Sequence, residues 1–237
     1  MNELILVCSV VLIFGAVLLA YRLFGNAGLY AMTAVVTVLS NIEVLILVVA
    51  FGMEQTLGNV LFAATFLITD ILSENAGKKA ANKAVFIGIL ASVFFVILSA
   101  SWMLYIPADS DWVMPAVRTI FSTTPRLVLA SMTVYAVSQL LDVWLYHKWW
   151  ALTQAKSGSR RKFLWLRNNG STLISQLVNT VLFNLAAFAG MEGYTPGLLF
   201  SIILAGYVIY VVTSLLDTPV VYWARRIHEK REAAANE

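Results

Sequence analysis

An all-α, polytopic bundle of membrane helices is the fold this sequence predicts, and three observations predict it. Of 237 residues, 60% are hydrophobic and only 12% charged, whereas a soluble domain carries about 25% charged residues. Seven apolar runs each approach the ~20 residues a bilayer demands. Two of those runs carry nearly the same polar patch, Ser138-Gln139-Leu140-Leu141-Asp142-Val143 and Ser175-Gln176-Leu177-Val178-Asn179-Thr180. Ionised side chains cost roughly 2.5–3.5 kcal/mol at a helix centre, so matched patches predict a shared polar site facing protein or water.

The runs lie at about 2–21, 28–51, 57–74, 84–106, 126–147, 171–190 and 197–223, within one transmembrane domain covering 1–237. The first, with Leu4 to Leu19 at its centre, lacks a basic leader and an evident small-residue cleavage site, so it reads as a retained span. The longest predicted loop is 148–168, with Lys148, Lys156, Arg160, Arg161, Lys162 and Arg167 all counted as loop residues. The lone cysteine, Cys8, sits in an apolar run, which excludes a disulfide framework.

Orientation follows from charge. If the spans alternate, all of the 16 basic residues except Arg118 and Arg126 fall on one side, among them Arg22, Lys78, Lys83 and Arg225. The opposite loops hold Glu54, Asp109, Asp111 and Glu192. The positive-inside rule then places the N-terminus outside and the C-terminus in the cytoplasm. The net charge of +3 reflects these loops and not a nucleic-acid surface. Pro125 suits the first turn of the fifth span, which puts Arg126 just inside the outer interface, as a snorkelling arginine or as a gate or ion-pair partner.

The polar residues fall on helix faces. Ser131, Tyr135, Ser138, Gln139 and Asp142 recur at spacings of three and four, and Thr172, Gln176, Thr180 and Asn184 form an i, i+4 ladder with Asn179 beside it. Antiparallel spans bring the two patches to similar depth in the inner half of the membrane. Asp70 and Glu74 lie one turn apart at the end of the third span, Asp217 lies near the inner end of the seventh, and Glu43 lies nearer the middle of the second. Serines and amides often merely join membrane helices, at roughly 0.6 kcal/mol per hydrogen bond. Carboxylates in excess of the basic residues at their depth are poorly explained that way.

Within 64–77, the run Thr69-Asp70-Ile71-Leu72-Ser73-Glu74-Asn75-Ala76-Gly77 resembles the first signature of the queuosine precursor, or vitamin-uptake, transporter family. Arg126, Ala130, Ser131, Ser138, Gln139 and Asp142 are similar to its second signature, and Arg167, Asn168, Ser171, Thr172, Ser175, Gln176 and Thr180 to its third. The third signature usually has an acid where this chain has Asn179. The resemblance implies a six-helix core plus one extra N-terminal helix, in the cell inner membrane. It implies import of a 7-deazaguanine base such as preQ0, preQ1 or queuine for tRNA modification, with no catalysis, cofactor or metal.

The residues expected to bind the base are Glu43, Asp70, Glu74, Gln139, Asp142, Gln176, Asn179 and Asn184, with Arg126 and Asp217 as gating or ion-pair residues. A carboxylate accepts both N1–H and the exocyclic amine of such a base, and an amide donates to its carbonyl. Tyr135, Phe183, Phe66 and Tyr210 are candidates to stack on the ring. The expected partners are the base, the lipid bilayer and a second copy of the chain in a homodimer, with no nucleic acid. No phosphate-binding glycine loop, zinc spacing or Ser-His-Asp set occurs. Two rival readings are a solute-binding subunit that depends on a separate ATPase module and an intramembrane scaffold.

The topology has a direct check in a Cys8-free background. A cysteine at Ser110 should react with an impermeant thiol reagent applied to intact cells, and one at Ser157 only after permeabilisation. The opposite pattern inverts the assignment.

Overall fold

Helices account for almost every element of the chain. The computed structural model describes residues 1–121, 125–159 and 162–235. In chain order these form α1 (Asn2–Phe24), α2 (Asn26–Glu43), the strands β1 (Leu47–Ala50) and β2 (Met53–Thr56), α3 (Gly58–Ala76), α4 (Lys78–Trp102), α5 (Met114–Phe121), α6 (Pro125–Ser157), α7 (Leu164–Phe188) and α8 (Pro196–Ala235). The expected all-α bundle is the fold observed. Among the described residues, α1, α4, α7 and α8 are long and apolar enough to cross a membrane. Their outward faces carry large exposed hydrophobics such as Leu12, Phe94 and Leu215, the surface that a bilayer would cover.

The centre of the bundle is α3. Nearly all of it from Val60 to Ser73 is buried, in contact with α1, α2, α4, α6 and α8. Small residues allow this approach: Ala63 and Ala64 are small, and Thr69 turns its hydroxyl back onto the Phe66 carbonyl at 2.9 Å. Gly77 ends the helix at φ 81, a left-handed value that costs glycine nothing, and α4 begins at the next residue.

Two differences from the sequence reading matter. The second helix stops at Glu43, and the rest of the expected span 28–51 becomes half of a hairpin, with Leu47 paired to Thr56 and Ala50 to Met53. Phe51 and Gly52 form its two-residue turn, with φ of 54 and 73, the positive pair that suits the twist of a tight hairpin. The run Leu45-Ile46-Leu47-Val48-Val49 is apolar enough to read as helix, and apolarity alone does not separate the two states. Asn2 donates to the Val49 carbonyl at 2.9 Å and Glu3 accepts from the Phe51 N–H at 3.3 Å, so the start of α1 braces the hairpin.

The second difference is the supposed loop 148–168. Helix α6 continues to Ser157 and α7 starts at Leu164, because Ala151, Leu152, Gln154 and Ala155 are good helix formers whatever the flanking charge. Arg167, Asn168 and Asn169 therefore lie inside the bundle, each buried. The short α5 was also not expected; Asp111 accepts from the Met114 N–H at 2.8 Å at its start, and Phe121 packs edge-on against Phe95 and Trp102.

The chain ends sort cleanly. Arg231 of α8 donates to the Arg22 carbonyl at 2.8 Å and lies over the Tyr21 ring, while Lys83 lies over Tyr30. Arg22, Lys83 and Arg231 thus lie at the opposite end of α1 from the hairpin.

Gly88 marks the tightest helix contact. A Cβ there would run into the Tyr135 hydroxyl and crowd Thr37. Gly88→Ala should lower stability by about 1–3 kcal/mol through overpacking, read as a fall in the thermal midpoint of the purified protein. An unchanged midpoint would mean that α4 and α6 separate easily.

Candidate functional site

Polar side chains inside the bundle fall into three levels. At the basic end, Glu74 at the tip of α3 is held by Arg167 of α7 through Nε at 2.8 Å and Nη2 at 2.5 Å. Arg225 of α8 approaches the same carboxylate at 3.3 Å, and the Tyr146 hydroxyl of α6 donates to it at 2.7 Å. Arg167 is 0% exposed; it also donates to the Lys162 carbonyl at 2.8 Å and lies over the Trp150 ring. A bidentate guanidinium–carboxylate pair, fully hydrogen-bonded, is the form in which such charges tolerate burial. Four helices meet here, and they close that end.

One turn higher lies a compartment of acids and amides. Thr172 donates to Asp70 at 3.1 Å, Ser175 to Asp142 at 2.8 Å, and Asn168 to Asp217 at 2.8 Å. Each acid is at most 2% exposed, and Asp70 stands within electrostatic reach of both of the others. Among the described residues, Asp70 Oδ1, Asp142 Oδ2 and Gln176 Oε1 accept no hydrogen bond from a donor group. Facing carboxylates repel unless a proton or a donor sits between them. Gln139 is tied to α3 by Thr65 and Thr69, and the Ser138 hydroxyl donates to Asn179 at 3.3 Å.

Above this level a cavity of about 500 Å³ opens among α2, the hairpin, α3, α7 and α8, a size typical of small-molecule sites. Asn59, Asn179, Asn184, Phe183 and Tyr210 line it, with Gln55 contributed by β2. The Tyr210 hydroxyl donates to Asn59 Oδ1 at 3.0 Å, and Asn184 is fixed by its bond to the Thr180 carbonyl at 2.8 Å. Rigid amides on two helices and a flat aromatic, with no charged side chain among the described lining residues, suit an uncharged planar polar ligand. Among the described residues, no group of His, Cys, Asp or Glu is arranged to hold a metal.

The expected site residues divide accordingly. Asn179 and Asn184 line the cavity. Asp70, Gln139, Asp142, Gln176 and Asp217 lie below it in packed structure, because the Ser175–Asp142 and Ser138–Asn179 bonds draw α6 and α7 together and leave no space. Glu74 belongs to the closed end, and Glu43 is half-buried at the end of α2. Asp217 meets an amide and not a cation. Arg126 falls in α6, but its side chain lies outside the described residues. Of the stacking candidates, Phe183 and Tyr210 reach the cavity, while Phe66 is buried against Phe62 and Tyr135 packs on Phe62.

Sequence reasoning missed four participants. Arg167 was hidden because a charge cluster reads as a loop, although it stands in the third signature. Tyr146 sits one turn after Asp142, which was a usable signal. Gln55 and Asn59 lie outside the matched signatures, Gln55 in what read as a short external turn and Asn59 at the start of the expected third span.

The model of a family described as "Putative vitamin uptake transporter" matches residues 56–224. A curated protein of Bacillus subtilis (strain 168), named "Probable queuosine precursor transporter", is 37% identical over 216 residues, which is 89% of each chain. No solved structure matches the chain.

The closed end makes a stability prediction. Glu74→Gln strands a guanidinium and should cost about 3–5 kcal/mol, and Arg167→Met somewhat less because Arg225 remains on the carboxylate. The double variant should recover much of the loss, read by thermal unfolding of all four proteins. Additive losses would mean that the two side chains do not act as a pair.

Proposed function

Because the chain belongs to the vitamin uptake transporter family, we propose that it imports a queuosine precursor, a 7-deazaguanine base, across the cell membrane. The observation that carries this reading is the cavity, about 500 Å³ in volume and walled by amides and aromatic rings above a closed ion-paired end. With the basic end inside, the cavity faces outward, and the Glu74–Arg167 level is the barrier on the cytoplasmic side. A second hollow lies beyond that barrier, lined by Glu74, Asn75, His147 and Gln154. Passage then requires the barrier to open while the hairpin side closes, the ordinary logic of alternating access.

In the outward state the base meets Asn59, Asn179 and Asn184 first. Asp70, Asp142 and Gln176, with unpartnered oxygens below, form the next station, reached as α6 and α7 part. Asn179 lies on the boundary of the two levels, so Asn179→Asp would put a charge beside the bound base and change the preference among preQ0, preQ1 and queuine. A homodimer belongs to the same proposal and is read by light scattering in detergent as two chains and not one.

Uptake by the purified chain in liposomes tests the reading. Labelled preQ0 or preQ1 should enter saturably without ATP, and Glu74→Gln/Arg167→Met should slow entry at least tenfold while binding from outside persists. Binding without entry by the wild type would favour a subunit that needs a separate ATPase. Neither binding nor entry would leave only the scaffold.

A further inference from the structure

The inward face of β2 carries a residue that packing does not explain. Strand residues alternate between faces, and β2 turns Gln55 inward, 5% exposed, opposite Val48 of β1. An apolar side chain is what that position would take for stability alone. Instead, among the described residues, neither buried Gln55 Nε2 nor buried Gln55 Oε1 has a hydrogen-bond partner, and the residue lines the cavity. A buried carboxamide lacking both of its bonds is destabilising, and a ligand in the cavity would supply them.

The hairpin is built to hold this side chain in place. Its turn is tight, its ladder pairs all four residues of each strand, and Asn2 and Glu3 brace its tip. A rotation about the Gln55 side-chain bonds would carry the amide into the cavity, across from Asn59 and Tyr210. A carboxamide offers one donor and one acceptor side by side. The complementary ligand edge is a cyclic amide, a ring N–H beside a ring carbonyl, which accepts from Nε2 and donates to Oε1 in a closed two-bond pair.

We propose that Gln55 reads the lactam edge of the carried base, its N1–H and its 6-carbonyl, and so sets specificity at the outer cavity. The proposal rests on the transport reading above and adds to it the residue and the ligand edge that make the first selection. The 2-amino group is left to the asparagines on the opposite wall, so bases with and without it share the same Gln55 pair.

The test compares wild-type protein with Gln55→Leu, of similar volume but without polar atoms. Affinities are measured by titration calorimetry for 7-deazaguanine, for 7-deazahypoxanthine (lactam kept, 2-amino group absent) and for 2-amino-7-deazapurine (6-carbonyl and N1–H absent). Gln55→Leu should weaken the first two by roughly tenfold to hundredfold, the worth of two neutral hydrogen bonds. It should leave the third, weak already, unchanged. The ligand-free thermal midpoint of Gln55→Leu should equal or exceed that of the wild type, because an orphaned amide has been removed. Discrimination that survives in Gln55→Leu overturns the proposal alone, and so does loss of folding in that variant, since Gln55 would then be a structural residue. A wild type that binds none of the three overturns the transport reading and this inference with it.

Discussion

The pairing of Glu74 with Arg167 is the constraint from which the rest of the architecture follows. Charges of this kind are tolerated inside a bundle only when every donor and acceptor is met, and here α3, α6, α7 and α8 each supply a group. Helices held that closely at one end have little freedom there. Toward the other end small residues such as Gly206 and Ala205 line the wall of the cavity.

Between the closed end and the cavity, the acids Asp70, Asp142 and Asp217 are each held by a hydroxyl or amide on α7. One helix therefore serves all three levels: Arg167 for the ion pair, Asn168, Thr172 and Ser175 for the acids, and Asn179 and Asn184 for the cavity. A small shift of α7 would alter all of them together, which is what coupling a barrier to a binding site demands. The unpartnered oxygens at the middle level are where such a shift would gain hydrogen bonds.

Much of this was legible in the sequence, and the physical reasons divide sharply. The all-α class and the polar faces of the fifth and sixth runs were readable because helical periodicity survives in lipid-facing segments. The Ser-Gln-x-x-Asp/Asn repeat announced that two helices meet, and they do meet at Asp142 and Ser175. The hairpin was not readable, because Val48 and Val49 suit a strand as well as a membrane helix, and only Phe51 and Gly52 hint at the turn. Arg167 was misread for a related reason: charge is taken to mark the end of a span, yet a paired arginine carries the helix on. The cavity was expected lower, among Gln139, Asp142, Gln176 and Asn179, because side-chain identity does not reveal whether polar groups are spent on one another. Of the expected residues, Asn179 and Asn184 lie on the cavity wall.

The proposed transport cycle starts from an outward cavity above a closed cytoplasmic barrier. A cysteine at Ala205, on the α8 wall of the cavity, tests it most directly in cells lacking Cys8 reactivity. An impermeant thiol reagent applied outside should label Ala205→Cys, and preQ1 should slow that labelling. Labelling confined to permeabilised cells, or labelling indifferent to the base, would contradict the account.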